Sequence, residues 1–119
     1  MKKKSCNICY VQIPAPDIKK AGKFYTKVFG WKITAKFNPT YWQFDDGHLG
    51  GGFDADMKPA KTGVILVLKV ADMAKSLAAI NRAGGRITKE RTPIYGGKMG
   101  YYAYFRDPNG NQLGIWSRR

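Results

Sequence analysis

An internal repeat constrains this chain more than any other feature. The segment VQIPAPDIKKAGKFYTKVFGWKI (residues 11–33) aligns with LVLKVADMAKSLAAINRAGGRI (residues 66–87) at a constant offset of 55, with Asp17 over Asp72 and Gly30 over Gly85. Each copy reads as an alternating apolar strand, an aspartate able to accept from the free amides of a first helical turn, and about three turns of helix. Ile18, Ala21, Phe24, Tyr25 and Val28 make one apolar stripe, and Met73, Leu77, Ile80 and Ala83 the other. Gly30 and Gly85 are predicted to end the helices in the left-handed conformation. Three short strand patterns follow each helix, 31–37, 41–46 and 49–53, then 85–90, 100–107 and 111–116, separated by Asn-Pro, Asp-Gly, Gly-Gly and Asn-Gly turn signals. The plan is βαβββ twice. One such half has too little sheet to bury its own apolar face, so the halves must pack as a pair.

The chain of 119 residues is expected to form one domain, with a first module over about 6–54, a second over about 63–117, and a polar link between them. The longest unbroken apolar run, Val64 to Leu68, is too short to span a bilayer, and Asn7, Gln12, Pro14 and Pro16 interrupt any signal-like stretch after Lys2–Lys4. A cytoplasmic location is therefore expected. Cys6 and Cys9 fall in an extended stretch, where side chains point to opposite faces, which argues against a disulfide. A zinc site would need two further ligands, and His48 is the single histidine, placed in a turn. The net charge of +13 favours anionic partners. The bases are dispersed along the chain without a recognition motif, so they read as solvated surface and nucleic acid is not an expected partner.

FRDPNGNQLGIW (residues 105–116) carries a strand, a tight turn and a second strand in which Gly114 stands where a side chain would be useful. Together with the repeat and the "FY…FGW" ending of the first helix, this phrase resembles the vicinal oxygen chelate superfamily. That superfamily includes glyoxalase I, extradiol dioxygenases, fosfomycin-resistance enzymes and bleomycin-resistance proteins. The chain looks closest to small bacterial proteins related to lactoylglutathione lyase. The resemblance covers nearly all of the sequence and implies an α+β fold, two tandem βαβββ modules forming a curved mixed sheet, a cup, with helices outside.

In the metal-using members, the resemblance implies ligands on the first and last strand of each module. The first-strand position, seven residues before the helix-start aspartate, is Tyr10 in one module and Ile65 in the other. The last-strand position, four residues past the turn glycine, is Gly114 and, in parallel, Gly51, although the Gly50-Gly51-Gly52 run permits a slip of one residue. Isoleucine and glycine offer no donor, and a neutral tyrosine is a poor one. No metal and no other cofactor is therefore expected, and the glycines are expected to widen the cup floor.

Strand alternation from Tyr10 sends Gln12 into the same cup. It also points Ile65, Val67, Gln112, Gly114 and Trp116 inward, with Trp42, Phe44, Tyr102 and Tyr104 on the opposite wall. These residues are the expected ligand-binding set. The favoured function is a metal-free cup for a small anionic or aromatic molecule; a cationic drug such as bleomycin suits the positive charge poorly. The alternative is a glyoxalase-related lyase or isomerase, or a dioxygenase-type enzyme, using Tyr10 for proton transfer or an unrecognised metal site. A homodimer is expected, because superfamily members commonly pair and an exposed sheet edge invites it.

Overall fold

Asp17 and Asp72 open the two helices of the computed structural model, which describes residues 5–119. The Lys2–Lys4 run lies outside the described residues. The Asp17 carboxylate accepts from the Lys20 amide at 3.1 Å and that of Asp72 from the Lys75 amide at 3.0 Å, as the capping pattern requires. Helix α1 runs over Ile18–Phe29 and helix α2 over Met73–Arg82. Gly30 ends α1 with φ 72°. The second helix ends differently from the repeat's expectation. Gly84, with φ +97°, takes the left-handed position, while a Cβ at Gly85 would lie 2.6 Å from Ile80 and 3.1 Å from Phe24. Gly85 therefore serves close approach between the modules, not chain reversal.

Strands β1 (Tyr10–Pro14), β2 (Lys32–Asn38), β3 (Tyr41–Asp45) and β4 (Gly50–Asp54) form one four-stranded sheet in the order β1-β4-β3-β2. Strands β5 (Val67–Lys69), β6 (Arg86–Pro93), β7 (Tyr101–Arg106) and β8 (Gln112–Ser117) repeat it in the order β5-β8-β7-β6. The first strand of each module pairs parallel to the last, and the other pairings are antiparallel. The expected mixed sheet is thus built from two four-stranded sheets. Among the described residues, no helix is long and apolar enough to cross a membrane.

Each helix covers one face of its sheet. In the first module Trp31 stacks on Tyr25 at 4.6 Å and on Phe44 at 4.7 Å, and Phe44 meets Phe53 at 4.7 Å. Burying rings of this size supplies most of the local driving force. Ala103, Phe105, Leu113 and Ile115 do the same under α2, with Met73 and Ile80. Phe105 also reaches across to Phe24 and Phe29 of α1, at ring-centre distances of 6.1 and 5.8 Å, so the two cores join.

The β7–β8 turn fastens the modules to each other. Asp107 is only 4% exposed, yet its carboxylate accepts from the Tyr25 hydroxyl at 2.8 Å, from the amides of Asn109 and Asn111, and from the Asn111 side chain at 2.9 Å. Asn111 also donates to the Pro14 carbonyl at 2.6 Å, and Asn109 brackets the start of α1 by exchanging hydrogen bonds with the Asp17 backbone. Burial and the neighbouring carboxylate push the Tyr25 phenol well above its ordinary pKa, so it remains a donor. Removing the carboxylate strands four donors at a buried seam. Asp107→Ala is expected to cost about 3 kcal/mol or more of unfolding free energy in urea denaturation, and Tyr25→Phe about 1–2 kcal/mol. A loss below about 1 kcal/mol for Asp107→Ala would remove the turn from this role.

Candidate functional site

The face of each sheet turned away from its helix carries the candidate site. On the first module Tyr10 and Gln12 stand beside Gly50 and Gly52, their partners in the parallel register. Across β4, Gly52 faces Gln43, and Tyr41 stands two residues along on the same side. The Tyr10 and Tyr41 hydroxyls are hydrogen-bonded to each other. On the second module Val67 and Tyr104 flank Gly114, and Tyr102 and Lys69 flank Trp116. The Tyr102 and Tyr104 rings lie 5.3 Å apart, with the Lys89 ammonium 5.7 Å from the Tyr102 ring centre. The Trp116 indole donates to the Met99 carbonyl at 2.9 Å, which fixes the ring under the 95–100 loop.

Several expected wall residues lie elsewhere. Trp42 and Phe44 belong to the helix side. Their register partners, Phe53 and Gly51, turn toward α1, and Phe44 is only 3% exposed within the aromatic core. Gly22 in mid-helix opens the notch for Trp42: a Cβ there would lie 2.9 Å from the indole ring. The correct phase of β3 is therefore Tyr41, Gln43 and Asp45 toward the open face. Gly51 moves with Phe44, since its Cβ would strike that ring at 2.2 Å, and Gly52 is the counterpart of Gly114. Ile65 precedes β5 and lines a groove of about 370 Å³ with Lys61, Val64 and Gln112, outside the strand. Tyr10, Gln12 and Gln112 line a second groove of about 290 Å³ at the seam between modules. Tyr102, Tyr104, Gly114 and Trp116 cluster apart from them on the second sheet.

The glycines do not leave an empty floor. A Cβ on Gly52 would lie 2.0 Å from the Tyr41 hydroxyl and 2.8 Å from that of Tyr10, and one on Gly114 would lie 3.0 Å from the Tyr104 ring. Phenol rings occupy the volume a longer side chain would need. The expectation of a widened cup is corrected accordingly. The same contacts test a metal at this place. The residues present are glycines, tyrosines, a valine and an amide, and this donor set does not fit a divalent ion. Among the described residues, no three His, Cys, Asp or Glu side chains gather into a possible metal cluster. Cys6 and Cys9 are free and exposed, and His48 is exposed in the Asp46–Leu49 turn.

Tyr41 and Gln43 were missed because nothing in YWQFDD tells which of its two alternating sets faces α1. Gly22 opposite Trp42 and the burial of Phe44 against the aromatic core settle it. Desolvation pushes the Tyr41 phenol up to about 12, helped by the hydrogen bond with Tyr10 and the nearby Asp54 carboxylate, while Gln12 acts the opposite way. A raised phenol pKa favours the neutral form. Its contribution to stability is complete below pH ~10 and fades as pH climbs from about 10 to about 12. In an ultraviolet absorbance titration one phenol should ionise near pH 12, and Tyr10→Phe should lower that midpoint. An unmoved midpoint would show that the pair is not coupled.

A family model described as Glyoxalase/Bleomycin resistance protein/Dioxygenase superfamily matches residues 7–115. A protein of Vibrio cholerae named probable lactoylglutathione lyase is 26% identical, over 89% of this chain and 86% of its own. A glyoxalase/bleomycin resistance protein/dioxygenase family enzyme from Burkholderia phytofirmans superposes with TM-score 0.79 at 22% identity, covering 92% of this chain and 97% of that one. A genomically encoded fosfomycin resistance protein from Listeria monocytogenes superposes with TM-score 0.80 at 14% identity, covering 96% and 94%. The two solved structures establish the fold, and the repeat, the closing hairpin and the near-complete family match agree with it. The chain belongs to the Glyoxalase/Bleomycin resistance protein/Dioxygenase superfamily.

Proposed function

We propose that the open faces of the two sheets bind a small, partly aromatic, anionic molecule without a metal. The observation that carries this reading is the filling of the Gly52 and Gly114 positions by Tyr41, Tyr10 and Tyr104. Where the superfamily's metal-using members place carboxylates, this chain offers flat aromatic surface and phenol donors. Strands β5, β7 and β8 contain no acidic residue, and Lys69 and Lys89 border the rings. Such a wall attracts an anion, and stacking adds roughly 0.5–1.5 kcal/mol per ring beyond area burial.

A second copy of the chain is proposed to complete the cup. Tyr10 is 37% and Val67 54% exposed, and β1 and β5 each end their sheet with an unpaired edge. The molecule measures 51 × 46 × 26 Å. Its radius of gyration of 15.1 Å exceeds the ~13.5 Å expected for a compact chain of this length. Small-angle scattering should therefore report a particle of about twice the chain mass.

A lyase or isomerase reading rests on one specific feature, the Tyr10–Tyr41 hydroxyl pair, which can relay a proton at the wall. The name of the Vibrio relative points the same way. The binding reading is tested by tryptophan fluorescence against a panel of aromatic carboxylates and matched aromatic amines. Acids should bind more tightly than amines, and chelator should change neither affinity nor melting temperature. Trp116→Ala should weaken binding about fivefold to tenfold. Gly114→Glu should abolish it by displacing the Tyr104 ring and adding a carboxylate. Tighter binding of the amines, or indifference of every hit to Gly114→Glu, would refute the site. Turnover lost in Tyr10→Phe with binding retained would favour the enzyme.

A further inference from the structure

Helix α1 presents Lys19, Lys20, Lys23 and Lys27 on its exposed side, with no acidic residue in its first turn. This arrangement works against the helix. Lysines one turn apart repel, and cations near an N-terminus oppose the helix dipole. Partial relief comes from Asp17, whose carboxylate lies 4.0 Å from the Lys20 ammonium. Folding then brings more positive charge to the same surface. Lys36 of β2 closes one side of an open groove of about 830 Å³ whose other side is Lys19, Lys23 and Lys27. Arg82 of α2 faces Lys20, Lys23 and Lys27 across a second groove of about 330 Å³. No acidic residue lines either groove.

The floor of the larger groove is aromatic. Trp42 is half-buried there, held edge-on by the Gly22 notch, with the Lys36 ammonium 4.4 Å from its ring centre. Lys19, Lys23 and Lys27 rise by about 6 Å per step along the helix axis, so they form a row of charges rather than a single anion pocket. A row of cations beside a stackable ring is the combination that holds an unpaired nucleotide chain, phosphates on the lysines and a base on the indole. We propose that the groove between α1 and β2 binds single-stranded nucleic acid. Binding relieves the lysine repulsion, and the Lys36 ammonium moves from the ring to a phosphate as a base takes its place. The groove lies on the helix side of the first sheet, opposite the Tyr10–Tyr41 wall, so it can act independently of the cup.

The test uses the full chain and fluorescein-labelled 20-nucleotide single strands of DNA and RNA, a 20-base-pair duplex, and inorganic phosphate as competitor, read by anisotropy at 150 mM salt. Lys23→Gln with Lys27→Gln should weaken single-strand binding at least tenfold. It should also reduce the slope of log affinity against log salt by about 1.4, at roughly 0.7 for each phosphate left without its lysine. Lys58→Gln with Lys75→Gln removes the same charge elsewhere and should change affinity less than twofold. Trp42→Phe, checked for retained circular dichroism, should weaken binding at least threefold. Four results would overturn the proposal: no binding, equal losses in both lysine pairs, a duplex bound as tightly as the single strand, or displacement by millimolar phosphate. Equal losses would reduce the effect to net charge, and displacement would reduce it to a small-anion site.

Discussion

The buried Asp107 carboxylate is the interaction on which the arrangement of this molecule depends. It ties a turn of the second module to helix α1 through Tyr25 and, through Asn111, to strand β1 at Pro14. A buried carboxylate is costly unless its oxygens are satisfied, and here four donors meet it. The same condition makes it selective. Sliding one module against the other would break the Tyr25 hydrogen bond to the carboxylate and the Asn111 hydrogen bond to Pro14, while the three donors inside the turn would stay with Asp107. The apolar contact of Phe105 with Phe24 and Phe29 supplies area at the seam, and the Asp107 network fixes the register.

That register decides what the open faces present. With α1 held against its sheet, Gly22 admits Trp42 and the Trp31–Phe44–Phe53 stack fills the helix side. The alternate residues of β1 and β3, Tyr10, Gln12, Tyr41 and Gln43, are left outward. Core packing on one face thus sets the chemistry of the other. The two glycine positions show the consequence. Lacking side chains of their own, they are covered by neighbouring tyrosines, which present aromatic surface where a longer side chain would otherwise stand.

Most of the fold was legible in the residues. The repeat at an offset of 55, the two capping aspartates and the turn signals place both helices and eight strands with boundaries close to those observed. The strand placement of part of the candidate set was legible too. Tyr10, Gln12, Val67, Tyr102, Tyr104, Gln112, Gly114 and Trp116 all lie on strands, with the alternation expected of them. Trp42 and Phe44 fall on the face opposite to the expected one because YWQFDD is aromatic on both alternating sets, so periodicity gives no phase. Gly50-Gly51-Gly52 has no side chains to declare a face at all, and Gly84-Gly85 offers two equivalent helix ends.

The sequence by itself determined the repeated βαβββ plan, the helix starts, the turns and the excess of positive charge. Each of these depends on neighbours within a few residues or on composition. Tertiary structure alone decided which face of β3 is outward, which glycine of the 50–52 run corresponds to Gly114, and where the charge gathers. Arg82 is far from the α1 lysines in the chain, and Lys36 follows the helix across a turn; both join the row only because α2 and β2 pack along that helix. Phase and charge clustering are properties of contacts between distant segments, and no local pattern encodes them.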